Sequence, residues 1–257
     1  MVLDLRIGAL IQEYWYTYLM RHAQISVVIP AHNEAIDLPK TLESLLCQIV
    51  LPAEVIVVDN ASTDETARVA KTFQKAFAQN NTKYHILSEP ILGVALARNT
   101  GFFAAKYPII ASTDADTCVS ADWIQQIQCH FFTTKDIAVG GDIFWKDSSV
   151  LLTLASHMRW FRFYFWITKH LFKFQSFATA NCAVQTKVFR KTGGFDTTIV
   201  SSNNLDDFEF SYRLWKFGPV GYDSKIVVYS SRRYNSLWQA IHITIQRWKR
   251  IIRILKS

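Results

Sequence analysis

The stretch IIASTDADTCVS, residues 109–120, decides how the rest of the chain is read, because a short apolar run ends there in two aspartates one residue apart, Asp114 and Asp116. In an extended segment, side chains i and i+2 share a side. Both carboxylates can therefore face one divalent cation, and hard oxygen ligands suit Mg²⁺ or Mn²⁺. Aspartate, serine and threonine also gather at strand-to-loop turns for local hydrogen bonding, so the surrounding chain has to separate the two readings.

Upstream, QISVVIPAHNE predicts a strand over residues 25–29, stopped by Pro30 and followed by a polar loop from Ala31 to Glu34. Leu38, Leu42, Leu45 and Leu46 follow at helical spacing. EVIVVDNASTDET then repeats the pattern, with a strand over 55–58 ending in Asp59 and with Ser62 or Thr63 as the cap of the next helix. A third strand over 84–87 leads through Gly93 into the helix ALARNTGFFAAK, whose polar face carries Arg98 and Asn99. The fourth strand, 109–113, delivers Asp114 and Asp116. Strands and helices alternating with short connections predict a parallel, doubly wound α/β sheet, with these aspartates at the carboxyl ends of strands, where open sheets bind ligands. No G-x-G-x-x-G follows the first strand and no G-x-x-x-x-G-K-[ST] occurs, which disfavours dinucleotide-dependent dehydrogenases and P-loop enzymes.

The second half reads as a helix over 123–132, a strand over 137–145, a strand over 178–185, a Gly193-Gly194 turn, a helix opening with Asp206, Asp207 and Glu209, and a strand over 226–229. Acids in a first helical turn suit the positive end of the helix dipole, so position has to decide whether they do more.

Length and composition fit one compact unit: 257 residues, 50% hydrophobic and 14% aromatic, are enough for a sizeable core. Cys47, Cys118, Cys129 and Cys182 show neither C-x-x-C pairs nor zinc-like spacing, so a reduced, cytoplasmic chain is expected, with most of the thiols packed as small apolar groups. No stretch reaches the roughly 20 apolar residues that cross a bilayer. The net charge of +7 belongs to the tail, where residues 224–257 carry eight Lys or Arg and no acid. Trp238, Ile241, Ile245, Trp248, Ile252 and Leu255 form an apolar stripe there, which predicts a basic amphipathic helix over 236–257 that docks on an anionic membrane surface. A second amphipathic helix is expected over 1–21. The aromatic run of residues 148–177 fits either packing on the sheet or a position among lipid headgroups. No nucleic-acid partner is expected.

Taken together, ISVVIPAHNE, VIVVDNASTDET, ARNTGFFAA, TDAD, GGFD and LDDFEFSYRL resemble, in order and spacing, the family-2 inverting glycosyltransferases of the GT-A fold, over Gln24 to Tyr234. The resemblance implies one GT-A domain over 22–235, a mixed, mostly parallel sheet flanked by helices. Its nucleotide-sugar half would span about 22–120 and its acceptor half about 121–235. It also implies sugar transfer from a nucleotide-diphosphate donor, UDP favoured, to a lipid-linked or cell-surface glycan hydroxyl, with Mg²⁺ or Mn²⁺. Pro30, Ala31, Asn33 and Glu34 match the first nucleotide loop, Asp59 the aspartate that reads the base, and Arg98 the arginine near phosphate. Asp116 matches the direct metal ligand, Asp114 the ribose or metal partner, and Asp207 the catalytic base. Asp206, Glu209, Asn181, Arg247 and Trp248 fall on the acceptor side. The family's processive synthases carry Q-x-x-R-W, but Thr244 stands where that motif has Gln, so a polymer-extruding synthase is not expected. A nucleotidyltransferase is the alternative from another class, although PAHNE stands where it would need a Gly-rich phosphate loop. A non-catalytic membrane adaptor is disfavoured by Asp59, Asp114, Asp116 and Asp207 occurring together.

Overall fold

The computed structural model describes residues 22–145, 166, 169–170, 174–197 and 206–231. The first half alternates as expected: β1 (His22–Ala31), α1 (Leu38–Leu46), β2 (Leu51–Asn60), α2 (Thr66–Thr72), α3 (Gln74–Gln79), β3 (Lys83–Glu89), α4 (Val94–Ala104) and β4 (Ile109–Thr113). The second half adds β5 (Thr117–Val119), α5 (Trp123–Thr133), β6 (Ala138–Trp145), β7 (Asn181–Gln185), α6 (Thr186–Thr192), α7 (Asp206–Trp215) and β8 (Val220–Ser230). The eight strands form one sheet in the order β3-β2-β1-β4-β7-β6-β8-β5. Strands β1 to β4 pair in parallel, β7 lies antiparallel between β4 and β6, β8 runs parallel to β6, and β5 closes the edge antiparallel to β8.

The continuous apolar runs of β1 and β2 follow from burial on both faces of the sheet. Ile25, Val27 and Ile29 point with Val55 and Val57 toward Leu38, Leu42, Leu45 and Trp123. Val28, Ile56 and Val58 point the other way, toward Ala97, Phe102, Phe189 and Phe210. Helix α4 lies so close to the sheet that a Cβ on Gly101 would stand 2.4 Å from Val28 Cγ1 and 3.0 Å from Val58 Cγ2, which is why that helix carries a glycine in mid-length. The second face is largely aromatic. Phe195 and Phe210 pack with centroids 4.1 Å apart and planes tilted by 36°, and Phe102 and Phe189 join them at 4.9 to 6.0 Å.

Several local expectations need correction. β1 runs through Pro30 to Ala31, since a missing N–H costs little at the last rungs of a strand. Neither Ser62 nor Thr63 caps α2, whose N-cap is Glu65 with no side-chain bond. The Ser62 hydroxyl instead accepts the Asn33 N–H (3.1 Å), and Asn33 Oδ1 accepts the Thr63 and Asp64 N–H groups (2.8 and 3.3 Å), so these residues knit two loops together. All four cysteines are free, but Cys47 and Cys129 are exposed and only Cys182 is fully buried. At the end of the aromatic run, Phe174 and Phe177 are buried against Phe208 and Phe210, whereas Trp166 is exposed. The expected terminal helices, with Arg247 and Trp248, lie outside the described residues.

The side chain of Asn181 is fully buried. The amide donates to the carbonyls of Asp142 (2.8 Å) and Ile226 (2.9 Å) and accepts from Trp123 Nε1 (2.8 Å). Those carbonyls flank the β6–β8 irregularity between Gly141 and Asp142, where the ladder skips, so Asn181 replaces missing ladder bonds. Asn181→Ala should lower the unfolding free energy by about 3 kcal/mol in a denaturant titration, because three buried polar groups lose partners.

Candidate active site

The parallel order places β2 and β3 on one side of β1 and β4 on the other, so the chain reverses its winding between β1 and β4. A crevice of about 510 Å³ opens there, at the carboxyl ends of the strands, as expected for an open α/β sheet. Pro30, Ala31, His32 and Glu34 enter from the end of β1 and Asn60 from the end of β2. Leu92, Gly93 and Val94 come from the start of α4, and Arg98 from its second turn. Asp114, Ala115 and Asp116 follow β4, Thr179 and Ala180 precede β7, and Asp207 begins α7.

The Asp-x-Asp turn is braced from three directions. Thr41, fully buried in α1, donates to the Ala115 carbonyl (2.7 Å), and Asp114 O accepts the Thr117 N–H (3.1 Å). The Asp116 carboxylate accepts from Thr117 Oγ1 (3.0 Å) and Ser231 Oγ (3.2 Å), while Ser231 N–H donates to Asp116 O (3.0 Å). Such bonds hold both carboxylates at the crevice wall before any ligand arrives.

Arg98 connects the two halves. Its guanidinium, 6% exposed, donates from Nη2 to Asp114 Oδ1 (3.0 Å), and Nη1 lies 3.7 Å from Asp207 Oδ1. Thr179 Oγ1 donates to the same Asp207 oxygen. The neighbouring Asn99 makes a paired amide contact with Phe195, donating to its carbonyl (2.9 Å) and accepting its N–H (2.7 Å). Helix α4 therefore fastens the GGFD turn with one side chain and Asp207 with the next. Gly194 sits in that turn at φ +90, and a Cβ there would meet Asn99 Oδ1 at 2.6 Å.

The structure gathers Pro30, Ala31, Glu34, Arg98, Asp114, Asp116 and Asp207 into one crevice, but it does not put every expected residue on the wall. Asn33, at φ 55, is occupied in joining the two loops. Asp59 pairs in register with Ala31 and Ser88, and its Oδ1 is buried with no hydrogen-bond partner. Glu209 pairs with Arg213, which donates to the carbonyls of Thr192 (2.8 Å) and Gly194 (2.7 Å), so this acid supports the Gly-Gly turn from outside the crevice lining. Asp206 opens α7, beside Asp207. Sequence reading missed His32, Asn60 and Thr179. His32 and Asn60 sit inside loops already singled out, whereas Thr179 carries no local signal, since only the β4–β7 pairing brings it to the site.

Glu34, Asp114, Asp116 and Asp207 line the crevice together with Arg98, so the described lining is strongly anionic. The Glu34 carboxyl is pushed up to about 7, chiefly by burial and then by the charges of Asp116, Asp37, Asp114 and Asp64. Among the described residues no three His, Cys, Asp or Glu side chains gather as a complete metal-ligand set. The donor chemistry nevertheless fits Mg²⁺ or Mn²⁺ held by Asp116, with Asp114 beside it and the remaining ligands supplied by a diphosphate. All are hard oxygens, and a cation would offset the crowding that raises Glu34.

The fold is that of the GT-A glycosyltransferases, a mixed, mostly parallel sheet flanked by helices. The chain belongs to glycosyl transferase family 2, whose model matches residues 26–193. AglE of Haloferax volcanii, a glycosyltransferase, is 33% identical over 46% of this chain and 39% of its own length. The chondroitin synthase of Escherichia coli is 26% identical over 81% of this chain, but over only 29% of its own. The chain thus spans well under half the length of these curated relatives. Among solved structures, the mannosyltransferase PcManGT of Pyrobaculum calidifontis, in complex with GDP-Man and Mn²⁺, superposes with a TM-score of 0.67 at 20% identity, covering 90% of this chain and 64% of that one. Residues 1–349 of S. aureus TarS with UDP-GlcNAc give 0.62 at 16% identity, covering 82% and 59%.

The lifted Glu34 pKa has a consequence for stability. A carboxyl raised above its ordinary 4.5 contributes stability that is fully present below that pH and is lost as pH rises through about 7. The metal-free protein should therefore lose melting temperature over that interval, and Glu34→Gln should flatten the loss and melt higher at pH 8. Scanning calorimetry across pH checks it; parallel pH profiles for the two proteins would contradict it.

Proposed function

We propose that the chain transfers a sugar, with inversion, from a UDP-linked donor to a hydroxyl of a lipid-linked or cell-surface glycan, assisted by Mg²⁺ or Mn²⁺. The observation that carries this reading is the contact of one buried arginine with both Asp114 and Asp207, which puts a donor-side acid and a candidate base across a single crevice. Bound at Asp116, the cation supplies charge stabilisation to the departing diphosphate. The chain's own groups do the rest. Arg98 adds positive charge beside the diphosphate, the half-buried carboxylate of Asp59 accepts the imide hydrogen of uracil, and Asp207 takes the acceptor proton as the hydroxyl attacks the anomeric carbon. An acceptor hydroxyl is far less acidic than a carboxyl, so its proton leaves only as the new bond forms. A single carboxylate opposite the leaving group suffices for direct displacement.

UDP release from a panel of UDP-hexoses, with GDP-mannose as comparison, tests the donor class in the presence of Mn²⁺ and after addition of EDTA. Chelation and Asp116→Ala should each remove turnover. Asp207→Asn should keep UDP affinity within about threefold by calorimetry while turnover drops roughly 10²- to 10⁴-fold, the range for losing a general base. Wild-type turnover in Asp207→Asn would end the mechanism.

The tail supports membrane association at the cytoplasmic face. Five of its cations, Arg247, Lys249, Arg250, Arg253 and Lys256, flank the apolar stripe, and each adds about 1 kcal/mol on an anionic surface. Among the described residues no helix is long and apolar enough to cross a membrane. In sedimentation with phosphatidylglycerol-rich vesicles, the full chain should pellet and a chain ending at residue 235 should not; equal pelleting would remove the tail as the anchor.

A further inference from the structure

We propose that Thr179 is a positioning residue for the base, an inference that rests on the reading of Asp207 just given. Thr179 is fully buried and yet forms part of the crevice wall, which is an unusual place for a hydroxyl unless its hydrogen bond is used. That hydroxyl donates to Asp207 Oδ1. Arg98 Nη1 approaches the same oxygen, at 3.7 Å. With both groups converging on Oδ1, negative charge is held there, and a proton taken up by the carboxylate is directed to Oδ2.

The contact is built into the fold. β4 and β7 pair antiparallel from Ile109↔Gln185 to Thr113↔Asn181. Past that last pair both chains turn, Ala178 O accepting the Asn181 N–H (3.0 Å) and Asp114 O the Thr117 N–H (3.1 Å), so Thr179 and the two aspartates leave the same end of the ladder and line one crevice. The other partner is fixed separately. Ser211, fully buried one turn along α7, donates to the Asp207 carbonyl (2.6 Å) and accepts the Phe177 N–H (3.2 Å). The segment that carries Thr179 is thereby tied to the helix that carries Asp207. Phe174 against Phe208 and Phe177 against Phe210 tie it again. A β-branched side chain with few rotamers, on a segment pinned at both ends, holds the carboxylate in one orientation before substrate arrives.

The test uses the UDP-hexose that gives the fastest UDP release, with Thr179→Val, Thr179→Ala, Thr179→Ser and Asp207→Asn in the full chain. Thr179→Val should lower kcat roughly ten- to a hundredfold, the effect of one hydrogen bond to a charged group, with KM for the UDP-hexose and UDP affinity within about twofold. Ala and Ser both remove the methyl group and differ only in the hydroxyl. Thr179→Ser should keep kcat within a few-fold and Thr179→Ala should follow Val, a comparison that stands even if the Val protein does not fold. Adding Thr179→Ala to Asp207→Asn should cost almost nothing more, since a positioning group has no role once its base is gone. Equal rates for the Ala and Ser proteins, UDP affinity falling in step with kcat, or multiplied losses in the double variant would each overturn the proposal. The two readings fail differently. Wild-type turnover in Asp207→Asn removes the base itself, whereas wild-type turnover in Thr179→Ala beside an inactive Asp207→Asn removes only the positioning role.

Discussion

The contact on which the rest of the structure depends is the buried guanidinium of Arg98 between Asp114 and Asp207. A charge this far from water is tolerated only with opposite charge beside it. The two carboxylates come from opposite halves of the chain, so the need to compensate one arginine also sets the distance between the halves. Three further residues of the same helix support that geometry: Asn99 clamps Phe195, Gly101 lets the helix approach Val28 and Val58, and Phe102 enters the aromatic cluster. Helix α4 thus works as a wedge between the first and second halves of the chain, with each face assigned to a different neighbour.

That compensation is incomplete within the crevice. Arg98 answers part of the charge of Asp114 and Asp207, while Asp116 adds more, and the carboxyl of Glu34, raised chiefly by its burial and then by these charges, stands at about 7. A site that is costly in its charge without ligand is prepared for a cation and for the groups a cation carries with it. The braces around it, Thr41 on Ala115, Ser231 on Asp116 and Ser211 on Asp207, keep that unfavourable arrangement from relaxing.

Much of the first half was legible because its signals are local. Strands buried on both faces have to be apolar without interruption, helices have to repeat their leucines, and ligand-binding carboxylates fall where strands end, so Asp114, Asp116 and the loops around them could be read directly. What the sequence left illegible has a common cause. Asn181 and Glu209 are polar residues near recognisable motifs, and nothing in their neighbours along the chain tells that Asn181 mends a ladder or that Glu209 holds Arg213. Ser62 is a residue type suited to a helix cap but is drawn to the Asn33 backbone of the neighbouring loop.

The sequence by itself determined the alternating fold, the acidic character of the site and the family, because period, turn chemistry and motif order are properties of short stretches. Only the tertiary structure decided which acids face one another, that Arg98 joins them, and that Thr179 stands behind Asp207. Those relations depend on strand order and on the antiparallel register of β4 with β7, and such pairings form between residues too far apart along the chain for any local pattern to record.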